Sequence, residues 1–163
     1  MITHQDLRYL ERCIELAEEA LNGGNAPFGS VLVSEDGRVL AEDYNRIAGG
    51  DDTQHPEFAL ARWAAAHMPP EERARATVYT SGEHCAMCAA AHGWVGLGRI
   101  VYASSSAQLE QWLAEWNDEP SRVHTLSIEQ VIRDTPVDGP VPELAEQVYV
   151  LHRQMHTQQK RQS

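Results

Sequence analysis

Thr80-Ser81-Gly82-Glu83-His84-Cys85-Ala86-Met87-Cys88, taken together with His55-Pro56-Glu57 upstream, is the stretch on which the organisation of the chain turns. The first piece carries C-x-x-C and the second H-x-E. Cysteines three positions apart are neighbours on one helical face, and a helix N-terminus favours the thiolate forms that metal binding requires. His55 can cap a helix whose first position is Pro56, where the missing N–H costs nothing. Glu57 then lies in the first turn. His55, Cys85 and Cys88 thus offer three ligands to one ion, and an open fourth position is what separates a catalytic zinc site from a structural one. Glu57 makes no bond to the metal on this reading, and is free to shuttle protons for a water held there.

Working outward, residues 77–80 read as a short strand, Cys85 to Val95 as a helix ended by Gly96 and Gly98, and Arg99 to Ala103 as a further strand. Upstream, the alanine-rich run His55 to Met68 is a helix closed by Pro69-Pro70. Before it, Phe28 to Ser34 and Arg38 to Asn45 flank an Asp36-Gly37 turn and read as an antiparallel hairpin. The chain opens with an amphipathic helix: Thr3 and Asp6 resemble a capping box, Leu7, Leu10, Ile14, Ala17 and Leu21 share a face, and Gly23-Gly24 stop it. Cys13 falls beside that stripe and is expected to be a buried small side chain. Downstream, Gln108 to Trp116 reads as a helix and Val123 to Ile128 as the last strand. Asp134 to Pro142, with its prolines, reads as a connector, and Glu143 to about Met155 as a C-terminal helix; the polar tail from about residue 156 is expected to fray. A helix, a hairpin, then strands alternating with helices imply an α/β sandwich built on one mixed sheet.

Length and charge narrow the function. A chain of 163 residues is expected to form one domain, 1–163, with a core of its own. Acids outnumber bases, 24 against 13, for a formal net charge of -11. Such a field repels phosphate backbones, and the only basic accent is Arg153, Lys160 and Arg161, so nucleic acid is a disfavoured partner. Three cysteines, two of them in C-x-x-C, suit a metal site in a reducing compartment, which makes the cytoplasm the expected location. Asp6, Arg8, Glu11 and Arg12 interrupt the N-terminus, so no secretory signal is expected there, and no apolar run reaches membrane-spanning length.

His55-Pro56-Glu57, Thr80 to Cys88 and Pro27-Phe28-Gly29-Ser30-Val31-Leu32-Val33 together resemble the cytidine/deoxycytidylate deaminase superfamily, nearest its guanine deaminase and tRNA adenosine deaminase branch. The similarity runs from about Leu10 to Ala103, in the family's order and approximate spacing. It implies a three-layer α/β/α sandwich around a five-stranded mixed sheet, with the strand after the fourth helix parallel to its neighbour, and a homodimer. It also implies one catalytic Zn2+ per chain on His55, Cys85 and Cys88, with Glu57 carrying protons from water to a ring nitrogen and then to the departing amine. By position, Asn45 matches an asparagine that hydrogen-bonds the base or its sugar, Phe28 a pocket-lining residue, and Glu83 the acid ahead of the cysteines, expected here to be structural. Two positions depart from the pattern: His84 stands where the family usually has proline, and Pro56 where it usually has alanine. His84 is then either a substrate contact or a solvated residue at a helix start.

The resemblance implies hydrolytic removal of the exocyclic amino group of a small heterocycle, a nucleobase or nucleoside, with guanine the first expectation. A guanine deaminase of this branch closes its pocket with an aromatic residue on a C-terminal tail, and nothing of that kind follows Tyr149. Trp112 and Trp116 are candidates to stack on the ring, or else the buried tryptophans of a surface helix. Two alternatives carry other consequences. An adenosine-to-inosine deaminase of tRNA would need a basic footprint. A non-catalytic structural-zinc module would recruit His92, in C-x-x-C-x-x-x-H, as a fourth ligand.

Overall fold

A computed structural model describes residues 1–163. In chain order the elements are α1 (His4–Asn22), β1 (Gly29–Val33), β2 (Val39–Tyr44), α2 (Pro56–His67), α3 (Pro70–Arg75), β3 (Thr77–Gly82), α4 (Ala86–Val95), β4 (Ile100–Ser104), α5 (Ser106–Glu115), α6 (Ile128–Val131), β5 (Val137–Asp138) and α7 (Pro142–Gln162). The strands form one sheet in the order β2-β1-β3-β4-β5. β1 is antiparallel to both β2 and β3, while β3, β4 and β5 run parallel. This is the five-stranded mixed sheet that the resemblance implies, and the strand after the fourth long helix is parallel to its neighbour as expected.

Alternation along the strands assigns the layers, because successive side chains point to opposite faces. Val31, Val33, Tyr79, Val101 and Ala103 pack with α1 and α7 through Leu10, Ile14, Ala17, Leu144 and Val148. Leu32 and Val78 point the other way, onto Leu60, Ala61 and Ala64 of α2 and Leu97 beyond α4. Ile100 and Tyr102 meet Ile128 of α6. Sheet and both helical layers therefore share a buried interior, and no helix is long and apolar enough to cross a membrane.

The first helix forms as its sequence predicts. Thr3 Oγ1 accepts from the Asp6 N–H at 3.1 Å while Asp6 Oδ2 accepts from the Thr3 N–H at 2.8 Å, and Gly23 caps the other end. Cys13 is fully buried on its inner face. A side chain at Gly29 would collide with the Cys13 carbonyl and the Leu16 side chain, so glycine is what lets α1 press onto β1.

Three parts differ from the sequence reading. Val123 to Ile128 is not a strand: Val123 is exposed, and the segment delivers a single buried residue, Ile128, to the start of α6. The fifth strand is instead Val137–Asp138, inside the stretch expected to be a connector. Its flanking prolines lack an N–H, but the Pro136 carbonyl still accepts from Ile100 N–H at 2.9 Å, so a two-residue strand completes the ladder. Pro69-Pro70 not only ends α2 but starts α3, with Glu71 and Glu72 in the first turn and Arg73 and Arg75 in the last, each favoured by the helix dipole. The third difference is at the C-terminus, where α7 continues to Gln162, beyond Met155. Within the apolar run Ala89 to Leu97, Ala89 and Leu97 are core residues and Trp94 is 89% exposed.

α1 is tied to the sheet by a polar knot at its N-terminus. Arg99 donates to both Asp6 oxygens at 3.0 and 3.1 Å and to Asp138 at 2.9 Å, and Tyr79 donates to Asp6 at 2.6 Å. Burial alone would raise the Asp6 pKa, but the bonds from Arg99, Tyr79 and the Thr3 N–H outweigh it and hold the carboxyl at about 2. A carboxyl depressed in the folded state stabilises above its unfolded pKa, about 3.9, and loses that contribution as pH falls towards 2. Asp6→Asn is expected to lower stability by about 2 kcal/mol at pH 7 in urea unfolding, and the difference from wild type should shrink between about pH 4 and pH 2.

Candidate metal centre and active site

β3 ends at Gly82 and feeds α4 after three intervening residues, and α2 starts beside α4 on the same face of the sheet. His55 is the N-cap of α2 and Cys85 the N-cap of α4, both with extended backbone and neither with a side-chain cap bond. Their side chains turn towards each other instead. His55 Nδ1 lies 3.5 Å from Cys85 Sγ and 3.6 Å from Cys88 Sγ, and the two sulfurs are 3.5 Å apart.

These separations fit a tetrahedral ion. Zinc bonds of about 2.3 Å to sulfur and 2.0 Å to nitrogen place ligand atoms roughly 3.5–3.8 Å apart. His55, Cys85 and Cys88 form the one His/Cys/Asp/Glu group that could hold a metal. His92 does not join it: its Nε2 is bound to the Gly98 carbonyl at 2.7 Å and its ring faces His84. The four-ligand closed arrangement is therefore not formed. Cys85 is lowered to about 4, first by the hydrogen bond from the Cys88 thiol and also by His55, while Cys88 is raised by that same bond and by burial. His55 is raised, chiefly by its bond to Cys85. Cys85 thus has the thiolate character that metal ligation requires, and Cys88 has a proton to surrender to a cation.

Glu57 lies in the first turn of α2 and is 5% exposed. Ser30 Oγ and Thr80 Oγ1 stand 3.0 and 2.7 Å from its Oε1. Thr80 also reaches the Gly82 carbonyl at 2.9 Å. Burial raises the Glu57 pKa, as does the charge of Cys85, against the lowering effect of Thr80, His55 and Ser30. Oε1 is held, and Oε2 has no hydrogen-bond partner. The buried side-chain nitrogen and oxygen atoms that lack both a partner and solvent access are those of His84 alone, so Oε2 opens onto accessible space.

Asn45 is organised in the same way. Its Oδ1 accepts from the N–H groups of Ala26 and Ile47 at 3.3 and 3.1 Å, which fixes the amide orientation and leaves Nδ2 free to donate to a ligand. The Asn45 N–H in turn donates to the Phe28 carbonyl at 3.0 Å. The half-buried Phe28 ring lies against Gly82. Phe28, Asn45, Glu57 and the three candidate ligands are therefore linked around one end of β1 and β3. A cleft of 290 Å³ lined by Asp51, Thr53, Gln54, His55, Phe58, Ala59 and Arg62 opens beside His55.

The other candidates are placed differently. His84 is 1% exposed, packed edge-on to His92 at 5.4 Å, with both ring nitrogens enclosed, so it offers no atom to a substrate. Burial and His92 push its pKa well down. An uncharged imidazole takes the proline's place as a filler beneath α4. Trp116 is buried between Tyr149 and His156, at 5.5 and 5.2 Å. Trp112, half-buried, faces Tyr149 at 5.3 Å and His152 at 6.1 Å. Glu83 is structural, accepting from the Ser106 and Ile128 N–H groups at 2.9 Å each and so capping α5 and α6. Sequence reasoning passed over Ser30 and Thr80, although a polar side chain inside an otherwise apolar buried strand is itself a signal. It also passed over His152, whose spacing from Val148 and Tyr149 puts it on the inner face of α7.

Comparison with known proteins agrees with this geometry. Residues 3–104 match the family model for the cytidine and deoxycytidylate deaminase zinc-binding region. The chain is 34% identical over 108 residues to a probable cytosine deaminase of Schizosaccharomyces pombe, covering 66% of this chain and 65% of that one, just under two thirds of its length. It is 30% identical over 131 residues to guanine deaminase of Bacillus subtilis, covering 76% and 83%. Among solved structures, a guanine deaminase from Nitrosomonas europaea superposes with a TM-score of 0.69 at 18% identity over 96% of this chain and 86% of that one, which is a likeness of fold.

Metal analysis checks the ligand set. Purified protein is expected to carry about one zinc per chain, with Cys85→Ser and Cys88→Ser losing it and lowering the melting temperature. His92→Gln, which keeps a donor for the Gly98 carbonyl, should retain full occupancy.

Proposed function

The chain belongs to the cytidine and deoxycytidylate deaminase family, and from that premise we propose that it is a zinc-dependent aminohydrolase of small nucleobases, with guanine as its first substrate. The observation that carries the reading is the half-tethered Glu57: one carboxylate oxygen held by two hydroxyls, the other free beside three ligands that leave a coordination position open. A structural zinc site has no use for such a carboxylate, nor for the free amide of Asn45.

His55, Cys85 and Cys88 would hold the ion, whose contribution when bound is to lower the pKa of a water from about 15.7 to about 7. Glu57 Oε2 accepts a proton from that water and delivers it to the ring nitrogen next to the amino-bearing carbon. As the water oxygen bonds to that carbon, Glu57 passes the second proton to the amine. The C–N bond breaks, ammonia leaves and a carbonyl remains. Burial raises the Glu57 pKa, which makes the carboxylate a better base than an exposed glutamate. Asn45 Nδ2 donates to the ring and Phe28 supplies a flat apolar contact, which orients the amino carbon before any proton moves.

Guanine is preferred on the strength of the guanine deaminase relative, of which the match covers 83%. Cytosine is the neighbouring possibility, because the 34% relative is named a probable cytosine deaminase. A tRNA substrate is disfavoured by the net charge of -11.

Ammonia release from guanine, cytosine, adenine and their nucleosides tests the reading, with inosine formation in a tRNA stem-loop assayed beside it. A signal on a free base that falls by roughly a thousandfold in zinc-replete Glu57→Gln is expected. Inosine in the stem-loop with silence on the bases would replace this substrate assignment, and silence throughout would end the enzymatic reading.

A further inference from the structure

His152 stands apart from the other histidines of the interior. His92 bonds the Gly98 carbonyl and His156 pairs with Asp118 at 2.9 Å, but His152, 7% exposed, has no hydrogen-bond partner at all. Buried polar groups are almost always bonded. His84 is the other exception, and its nitrogens are sealed off. Those of His152 are not: the faces of its ring are packed, while its polar edge opens onto accessible space.

The His152 ring is linked to the site described above through Phe28. The His152 ring meets Phe28 edge-on at 4.9 Å and Trp112 at 6.1 Å. Phe28 connects it to the rest, since its carbonyl accepts from Asn45 and its ring lies on Gly82. The Gly82 carbonyl shares the Thr80 hydroxyl with Glu57. Phe28 is thus the contact shared by His152 and the segment that bears Asn45. Burial lowers the His152 pKa to about 4, so the ring is uncharged at neutral pH. An uncharged imidazole offers one N–H donor and one bare nitrogen acceptor.

We propose that His152 is a specificity-determining residue, hydrogen-bonding the edge of the bound heterocycle and selecting rings that carry an amide-like N–H or carbonyl there. The assignment rests on the base deaminase reading. Packing between Phe28 and Trp112 fixes the imidazole plane, so the donor and acceptor directions are set before the ligand arrives. A ring without a matching edge would leave the imidazole unpaired inside a closed site, which is how a polar pocket discriminates against near-isosteres.

The test separates ring packing from hydrogen bonding. Zinc-loaded Glu57→Gln protein, which cannot turn over, is titrated with guanine and with cytosine by tryptophan fluorescence, alone and with His152→Phe or His152→Gln added. Phenylalanine keeps an aromatic ring and removes the nitrogens; glutamine keeps a donor and an acceptor and removes the ring. The better-bound base should bind roughly tenfold more weakly to the phenylalanine variant and nearly normally to the glutamine variant. Unchanged binding with phenylalanine, weaker binding with glutamine than with phenylalanine, or no binding of either base to the parent would overturn the proposal. Ammonia release by the wild type is scored separately: turnover with unaffected binding in His152→Phe removes only the role of His152, whereas His152-dependent binding without turnover removes the deaminase reading and leaves His152 as a base contact.

Discussion

Two helices, α2 and α4, begin side by side on one face of the sheet, and the meeting of their N-termini is the constraint on which the site depends. Each start exposes unsatisfied N–H groups and a partial positive charge. An ordinary cap residue would fold its side chain back onto those groups. His55 and Cys85 do not, and at Cys85 the neighbouring Cys88 thiol and His55 favour the thiolate. Close approach of the two helices is possible because their inner faces are built from small residues, Ala61, Ala64 and Ala89, all buried. The alanine content of α2 therefore serves helix spacing as well as helix propensity.

The sheet contributes through its register. Ser30 on β1 is paired directly with Thr80 on β3, and both hydroxyls reach the same oxygen of Glu57. Burying a carboxylate without such donors would cost several kcal/mol or neutralise it. A one-residue slip of β1 against β3 would turn the Ser30 hydroxyl to the α1 side and put Val31 or Gly29 against Glu57. Hairpin register and catalytic geometry are thus a single requirement, reinforced where Gly29 locks β1 under α1.

Much of this was legible in the sequence because it is carried by local spacing. The Thr3–Asp6 cap, the hairpin, the helix starts at His55 and Cys85, and the approach of His55, Cys85 and Cys88 each follow from residues a few positions apart or from recognisable motifs. What escaped depends on tertiary pairing. β5 has two residues flanked by prolines, too few for any period to show, and it forms because β4 presents an open edge. The apparent alternation of Val123 to Ile128 had no sheet to join. His84 was read as a possible contact because a residue beside a ligand is near the site along the chain; the fold turns its ring under α4 against His92. His152 has no partner near it in sequence, and its ring contacts lie on the two far segments that carry Phe28 and Trp112.

The division of labour along the chain has a physical basis. The family match ends at residue 104, and the groups assigned to metal and proton transfer all precede that point. An aromatic wall formed by Trp112, Tyr149 and His152 follows it, on α5 and α7, and α7 packs on the sheet through Leu144 and Val148. Glu83 joins the two halves: two residues before Cys85, it uses one carboxylate oxygen on the start of α5 and the other on the start of α6. The metal loop therefore positions the segments around the wall without sharing side chains with it. Substitutions on α5 or α7 can change the shape and polarity of the wall while the His55–Cys85–Cys88 geometry stays put, because that geometry is held from the opposite layer, by α2 and α4. On this reading the groups proposed for chemistry and for selectivity sit on different layers, and one can vary without dismantling the other.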